Sequence, residues 1–246
     1  MSADTAEELD ALRATGAVVA ETLRAMRRAV RPGVTTRELD AVATAVFRRA
    51  GARSGPQLDY GFPGTTCISV NDEAVHGIPD GRRLREGDLV KLDVTAELDG
   101  FYADACVSVA VGRGRRSTLR LIAAARDALR NAIAVATTGV PLNAIGAAVE
   151  STVTARGYAV CTDLAGHGIG RRIHEPPTVP SYYVDHLLQP LTDGLVLTIE
   201  PIIAAGGGDV TEAGDGWTYR TADGSLSAHA EHTLVVRDGR PLVLTA

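Results

Sequence analysis

Acidic residues sit in this chain where acids are costly. Asp93 lies inside Leu89-Val90-Lys91-Leu92-Asp93-Val94, and Glu200 inside Leu195-Val196-Leu197-Thr198-Ile199-Glu200-Pro201. Glu231 opens a third apolar run, Glu231-His232-Thr233-Leu234-Val235-Val236. Asp and Glu are depleted in strands, and a buried, unpaired carboxylate either destabilises the fold or takes up a proton. Several such residues in one chain point to a shared counter-charge, and a metal centre supplies it most simply. A hairpin brings in a fourth acid. Asp99-Gly100 is a two-residue turn signal between Leu89–Leu98 and Phe101–Val109. That register sets Asp104 opposite Thr95 and makes Asp93 its diagonal neighbour on the same face, about 7–8 Å away at the backbone.

Histidines supply the remaining donors. His167 stands in Gly166-His167-Gly168-Ile169-Gly170, among glycines that let ligand and backbone approach closely; His174 follows, and His76 lies in His76-Gly77-Ile78-Pro79. Any one of them alone reads as an ordinary core or surface histidine. Together, Asp93, Asp104, Glu200, Glu231 and one imidazole have the composition of an oxygen-rich dinuclear site, with four negative charges to balance two divalent cations. Without cations these carboxylates would raise one another's pKa. A pair of divalent ions lowers the pKa of water and polarises a carbonyl, so the expected chemistry is metal-assisted hydrolysis.

Four helical patterns must position these residues. Apolar or small residues recur from Leu9 at 12, 16, 19, 23, 26 and 30, and a second helix starts at Thr35, with Glu38 completing a capping box. A third helix carries Leu119, Ile122, Leu129 and Ile133; a fourth opens with Pro141 in its first turn and places Leu142, Ile145, Val149 and Val153. The second and fourth look like copies: Gly33-Val34 matches Gly139-Val140, Leu39 matches Ile145, and Gly51 matches Gly157, each 106 positions apart. Gly87 to Asp93 matches Gly194 to Glu200 at 107 positions. Agreement between helix and strand offsets favours an internal duplication, with halves of about 1–112 and 113–246. A pseudo-twofold pair of α+β halves would bring Asp93 and Glu200 together at its centre.

Composition narrows the rest. The 246 residues, 45% hydrophobic and 22% charged, suit a soluble globular chain with ample length for a core. A net charge of −5 leaves no footprint for nucleic acid or an anionic membrane, and Arg113-Gly114-Arg115-Arg116 is a short run that reads as a solvated loop. Cys67, Cys106 and Cys161 are odd in number and far apart, which argues against a disulfide framework and fits a reducing cytoplasm. The N-terminus lacks the order of a signal peptide, and no apolar run approaches the roughly 20 residues of a membrane span. A cytoplasmic location is expected.

These motifs are shared with a known family. Cys67-Ile68-Ser69-Val70-Asn71, His76-Gly77-Ile78-Pro79, Leu92-Asp93-Val94 with Tyr102-Ala103-Asp104, and Gly166 to Gly170 with His174-Glu175 come first in order. Thr198 to Pro201, Asp215-Gly216-Trp217-Thr218, and Ser227-Ala228 leading to Glu231-His232-Thr233 follow. In all of them the chain resembles the type I methionine aminopeptidases of peptidase family M24, from about residue 5 to its C-terminus. The resemblance implies an α+β pita-bread fold: two pseudo-twofold-related α/β halves and a curved antiparallel sheet covered by four main helices, as a single catalytic domain over 1–246. It implies that Asp93, Asp104, His167, Glu200 and Glu231 bind two divalent ions (Co, Mn, Fe or Zn), with Asp104 and Glu231 bridging. It further implies that His76 and His174 contact the scissile amide, and that Glu200 shuttles the proton from water to the leaving amine. Phe62, Cys67, His76 and Trp217 map onto the methionine pocket, an apolar lining for a thioether. The implied substrates are N-terminal Met peptides and nascent chains with a small second residue, met at the ribosome by a monomer.

Departures from the family pattern are specific. Asp59 stands where relatives usually carry a tyrosine beside the pocket, and Ile173 replaces an aromatic before His174; Leu164 and Ser181 also differ from the usual residues. Lys91 stands where many relatives carry asparagine near an auxiliary monovalent cation. The departures bear on pocket shape, side-chain selectivity and that extra monovalent cation, and none touches a metal ligand. The zinc-finger extension of larger relatives and the insertion of type II enzymes are not found in this sequence. An aminopeptidase P or prolidase shares the five ligands but usually carries a large additional N-terminal domain. A paralogue of altered specificity and a non-enzymatic binding module complete the alternatives, the last of which would show lost ligands.

Overall fold

Local sequence signals start the first three helices. In the computed structural model, which describes residues 1–246, α1 (Ala6–Ala29) begins at Thr5, whose hydroxyl accepts from Glu8 N–H while Glu8 bonds back. The helix therefore opens one turn before the apolar stripe does. The same capping box at Thr35 and Glu38 opens α2 (Thr36–Ala50), and Gly51 closes it at φ 72°. Strand β1 (Arg53–Ser54) leads into a short helix absent from the four expected, α3 (Gly55–Tyr60), capped by Ser54 and ended by Gly61. Strands β2 (Cys67–Val70), β3 (Glu73–Val75), β4 (Leu89–Leu98) and β5 (Phe101–Ala110) complete the first half.

The second half repeats this order. Helices α4 (Arg116–Val135) and α5 (Asn143–Thr154) precede β6 (Ala159–Val160), β7 (Ala165–Gly168), β8 (Glu175–Pro180), β9 (Val196–Ile199) and β10 (Ile202–Ala204). Then come β11 (Val210–Glu212), β12 (Tyr219–Thr221), β13 (Ser227–His229), β14 (His232–Arg237) and β15 (Arg240–Val243). Pro141 lies outside α5, in an isolated bridge to Pro190, because backbone bonds to the segment around Pro190 hold it there. Gly139 N–H bonds Leu191 O at 2.8 Å and Leu142 N–H bonds Gln189 O at 2.9 Å. In the first half Gly33 N–H bonds Leu84 O at 2.7 Å and Thr36 N–H bonds Arg82 O at 3.1 Å, and Thr35 bridges Arg83. These bonds recur at the same 106- and 107-residue offsets that the sequence carries.

Alternation along the strands divides helix-facing from cleft-facing residues. Val90, Leu92, Val94 and Ala96 of β4 pack with Leu23, Met26, Leu39 and Phe47 of α1 and α2. The intervening Lys91, Asp93 and Thr95 point the other way. Leu197, Ile199 and Ile203 likewise join Leu121, Leu129, Ile145 and Val149 of α4 and α5. Helices thus cover the outer faces, and polar inner faces meet at a seam. The C-terminal segment returns over α1 so closely that a Cβ on Gly16 would lie 2.2 Å from Leu244 O.

All strand pairings are antiparallel, in sheets of four, three, three and five strands rather than one unbroken curved sheet. The break lies at the seam, where hydroxyls replace backbone partners. Thr233 Oγ1 accepts from Asp104 N–H at 2.8 Å and donates to Asp104 O at 2.8 Å. Ser108 Oγ accepts from His229 N–H at 2.9 Å and donates to His229 O at 2.7 Å. Between them Glu231 N–H bonds Cys106 O at 2.9 Å.

Candidate metal centre

The seam opens into a cavity of about 340 Å³. The hairpin has the register expected from its turn: Leu98 faces Phe101, Thr95 faces Asp104, and Asp93 faces Cys106. Asp99 and Gly100 take φ 50° and 83°, the left-handed values that a tight two-residue turn needs. Asp93 and Asp104 therefore share the face that lines the cavity. In the second half Ile199 faces His232 and Ile202 faces His229, so Glu200 and Glu231 confront each other between those pairs. His167, on β7, donates its N–H to Thr198 Oγ1 at 3.1 Å, and Thr198 Oγ1 also bonds Glu200 Oε1 at 3.1 Å.

The side chains converge. Asp104, His167 and Glu231 present ligand atoms all within 4.8 Å of one another, and so do Glu200, His229 and Glu231. Glu231 belongs to both groups. His167 Nε2 lies 3.5 Å from Glu200 Oε1. Its Nδ1 lies 2.9 Å from Gly168 O, which can only accept, so the proton sits on Nδ1 and Nε2 keeps its lone pair. Burial holds His167 down to about 3, so the ring is neutral. Burial first, and then the charge of neighbouring carboxylates, pushes Asp93, Glu200 and Glu231 well above the usual carboxylate range. Burial raises Asp104 too, although the Thr95 hydroxyl donates to its Oδ2 at 2.7 Å. Asp104 Oδ1 and His229 Nε2 are buried without a hydrogen-bond partner. Mutually repelling carboxylates, a bare imidazole nitrogen and unpaired buried donors are the features that divalent cations relieve. The donor set fits a metal pair.

The remaining expected residues surround this floor. Phe62 packs edge-on against Trp217 at 5.2 Å between ring centroids, and Cys67 is buried with its thiol pushed well up by desolvation. His76 follows β3 at φ 56° and is held to about 4 by burial. His174 stands at the exposed mouth, its ring centroid 4.2 Å from that of His167. Phe62, Cys67, His76, His174 and Trp217 all line the cavity. Asp59 does not. Its carboxylate accepts instead from the Tyr102 hydroxyl at 2.9 Å and the Ile173 N–H at 3.3 Å, behind the loop that carries His174. Leu164 and Ile173 form part of the wall, while Ser181 Oγ lies 3.5 Å from Glu200 O. Lys91 extends the polar face of β4 away from the cavity, its ammonium donating to Asn71 O, Ser227 O and Ser227 Oγ at 2.7–3.2 Å.

Three polar cavity residues escaped the sequence reading. Tyr60 reaches in from α3 and its hydroxyl lies 2.5 Å from His174 Nδ1, in a helix too short to be periodic. Thr95 looks like an ordinary strand residue until its bond to Asp104 is seen. His229 was legible in principle, because it faces Ile202 as Asp104 faces Thr95, and those partners are 107 positions apart.

Known proteins share this architecture and sequence. The model of Metallopeptidase family M24 matches residues 10–238. A protein named methionine aminopeptidase 2 from Bacillus subtilis is 41% identical over 241 residues, covering 97% of each chain. The crystal structure of a methionine aminopeptidase from Thermotoga maritima superposes with a TM-score of 0.96 at 34% identity, over 100% of this chain and 99% of its own. A Rickettsia prowazekii methionine aminopeptidase gives 0.96 at 36% identity over the full length of both chains. The prolidase from Pyrococcus furiosus shares the fold, with a TM-score of 0.79 at 20% identity over 98% of this chain and 64% of its own.

Proposed function

The chain belongs to metallopeptidase family M24, and we propose that it is an aminopeptidase that removes methionine from the N-terminus of peptides and nascent proteins in the cytoplasm. One observation carries this reading beyond the family. Glu231 is shared by two three-donor groups on the floor of a cavity whose opposite wall is apolar. In this reading Asp93, Asp104, His167, Glu200 and Glu231 hold two divalent cations. When bound, such a pair supplies a nucleophile at neutral pH and polarises the scissile carbonyl.

The protein's own groups do the rest. Phe62, Trp217 and Cys67 take up the methionine side chain, excluding water from around its thioether. The carboxylate floor leaves room for one residue and attracts the substrate's terminal amine, which makes the reaction an exopeptidase one. His76 and His174 flank the scissile amide, and His174 donates to the developing oxyanion. Glu200, whose pKa burial has raised well above the usual carboxylate range, accepts a proton at a carboxylate oxygen and returns it to the leaving amine. Tyr60 and His174 crowd the mouth, where the second residue must pass, and so favour a small one there.

The discriminating experiment offers Met-Ala-Ser and a panel of Xaa-Pro peptides with and without Mn²⁺ or Co²⁺. Metal-dependent release of methionine is expected. Cleavage confined to Xaa-Pro peptides would overturn the reading in favour of a prolidase-like activity.

A further inference from the structure

The helix layers of the two halves part along a second groove. Helix α1 packs into the core of the first half and α4 into that of the second, and a groove of about 540 Å³ runs between them. Leu23, Leu119, Ile122 and Leu129 line it, with Arg24, Arg27 and Arg126 beside them. Arg24 and Arg27 are three positions apart, and Ile122, Arg126 and Leu129 follow at four and three, so each set shares one helix face. Leu119 is 51% exposed. The three arginines are exposed as well, and the arginine–carboxylate pairs of the molecule are made elsewhere. No Asp or Glu lines the groove, in a chain whose net charge is −5. Its only residue in common with the catalytic cavity is His229, so an occupant here leaves the mouth at His174 open.

We propose that this groove docks an acidic amphipathic segment of a protein partner. From Leu119 to Leu129 the groove is about 15 Å long, which suits a helix of about three turns. Its apolar side chains would cover Leu119 and Ile122, and its carboxylates would meet Arg24, Arg27 and Arg126, whose guanidiniums suit paired carboxylate oxygens. An apolar centre with a charged rim is the arrangement of a protein–protein interface. A nucleic acid would satisfy the arginines but leave the apolar floor bare, and the net negative charge repels a polyanion at long range. The inference does not depend on the metallopeptidase reading, since it uses the helix face alone.

The test follows fluorescence anisotropy of an N-acetylated, labelled helical peptide of about 12 residues, with Leu along one face and Glu on both flanks, as the cation-loaded chain is added. The acetyl group removes the free amine that the catalytic cavity would attract. The peptide should bind about 10-fold tighter or more than one of the same composition in scrambled order, and several-fold more weakly at about 200 mM salt than at about 50 mM. Arg24→Glu combined with Arg27→Glu, and separately Leu119→Ser, should each weaken binding about 10-fold or more, while methionine release from Met-Ala-Ser stays at the wild-type rate. Equal binding of the scrambled peptide, or unchanged affinity in either variant, would overturn the proposal. Tighter capture of poly-uridine RNA or of phosphatidylserine vesicles than of the peptide would overturn it too. Should Leu119→Ser fail to fold, Arg126→Glu at the exposed rim takes its place, with the same loss expected and unchanged affinity again fatal. A wild-type chain that binds the peptide yet releases no methionine sinks the proposed activity and leaves this inference standing.

Discussion

The carboxylates of the seam gain their meaning from their neighbours. Asp104 and His167 belong to one donor group, and neither side chain packs in an apolar core cluster. Asp104→Asn and His167→Ala should therefore abolish turnover while far-UV circular dichroism stays native; full activity in either variant would contradict the assigned roles. Asp59 acts at one remove, through the Tyr102 hydroxyl and the Ile173 N–H. Asp59→Ala should loosen the segment bearing His174 and lower kcat/KM for Met-peptides several-fold; unchanged kinetics would show that the loop holds itself. The proposed ligand set could be picked out in the sequence because acids in apolar runs are anomalous whatever the fold. Tyr60 and Thr95 were not, since a tyrosine that ends a six-residue helix and a threonine inside a strand break no local rule. Only their partners give them away.

Among the elements, β4 does the most. Its outer residues enter the core with α1 and α2, and its inner face sets Lys91, Asp93 and Thr95 in a row. Lys91 ties that row to the turn at Asn71 and to β13, bridging both halves with a fully buried ammonium. Burial lowers its pKa to about 7, below the 10.5 of an ordinary lysine. Between those values the unfolded chain binds more protons than the folded one, so this residue's contribution to stability rises with pH from about 7 to about 10.5. The difference in urea stability between wild type and Lys91→Met should shift in favour of wild type between about pH 6.5 and about pH 9.5; a pH-independent difference would contradict it. Helix starts at Thr35 and strand register at Asp99-Gly100 could be read directly, because capping and turn chemistry are local. Pro141 misled, since the extended bridge to Pro190 depends on a segment nearly fifty residues away.

At the scale of the molecule, two related halves each lend donors to one centre, and we read the chain as a single catalytic domain built on that symmetry. The recurrence at 106 and 107 positions marks the repeat in the sequence, and the backbone bonds recur at the same offsets. Which strands would bond across the seam was not legible, because Ser108 and Thr233 replace backbone partners there. Raised carboxylate pKa values mean that the folded, metal-free chain holds protons the unfolded chain has lost, so its stability falls as pH rises from the usual carboxylate range toward neutrality. A chelator should therefore lower the Tm more at about pH 7.5 than at about pH 5, with divalent cations restoring it; equal losses at both would be inconsistent with a carboxylate-built site. The most direct test of the whole account follows methionine release from Met-Ala-Ser as cations are returned to the metal-free enzyme. The account predicts no release without metal, and activity that grows with added Co²⁺ or Mn²⁺ and levels off by about two ions per chain. Undiminished release from the metal-free chain would contradict it.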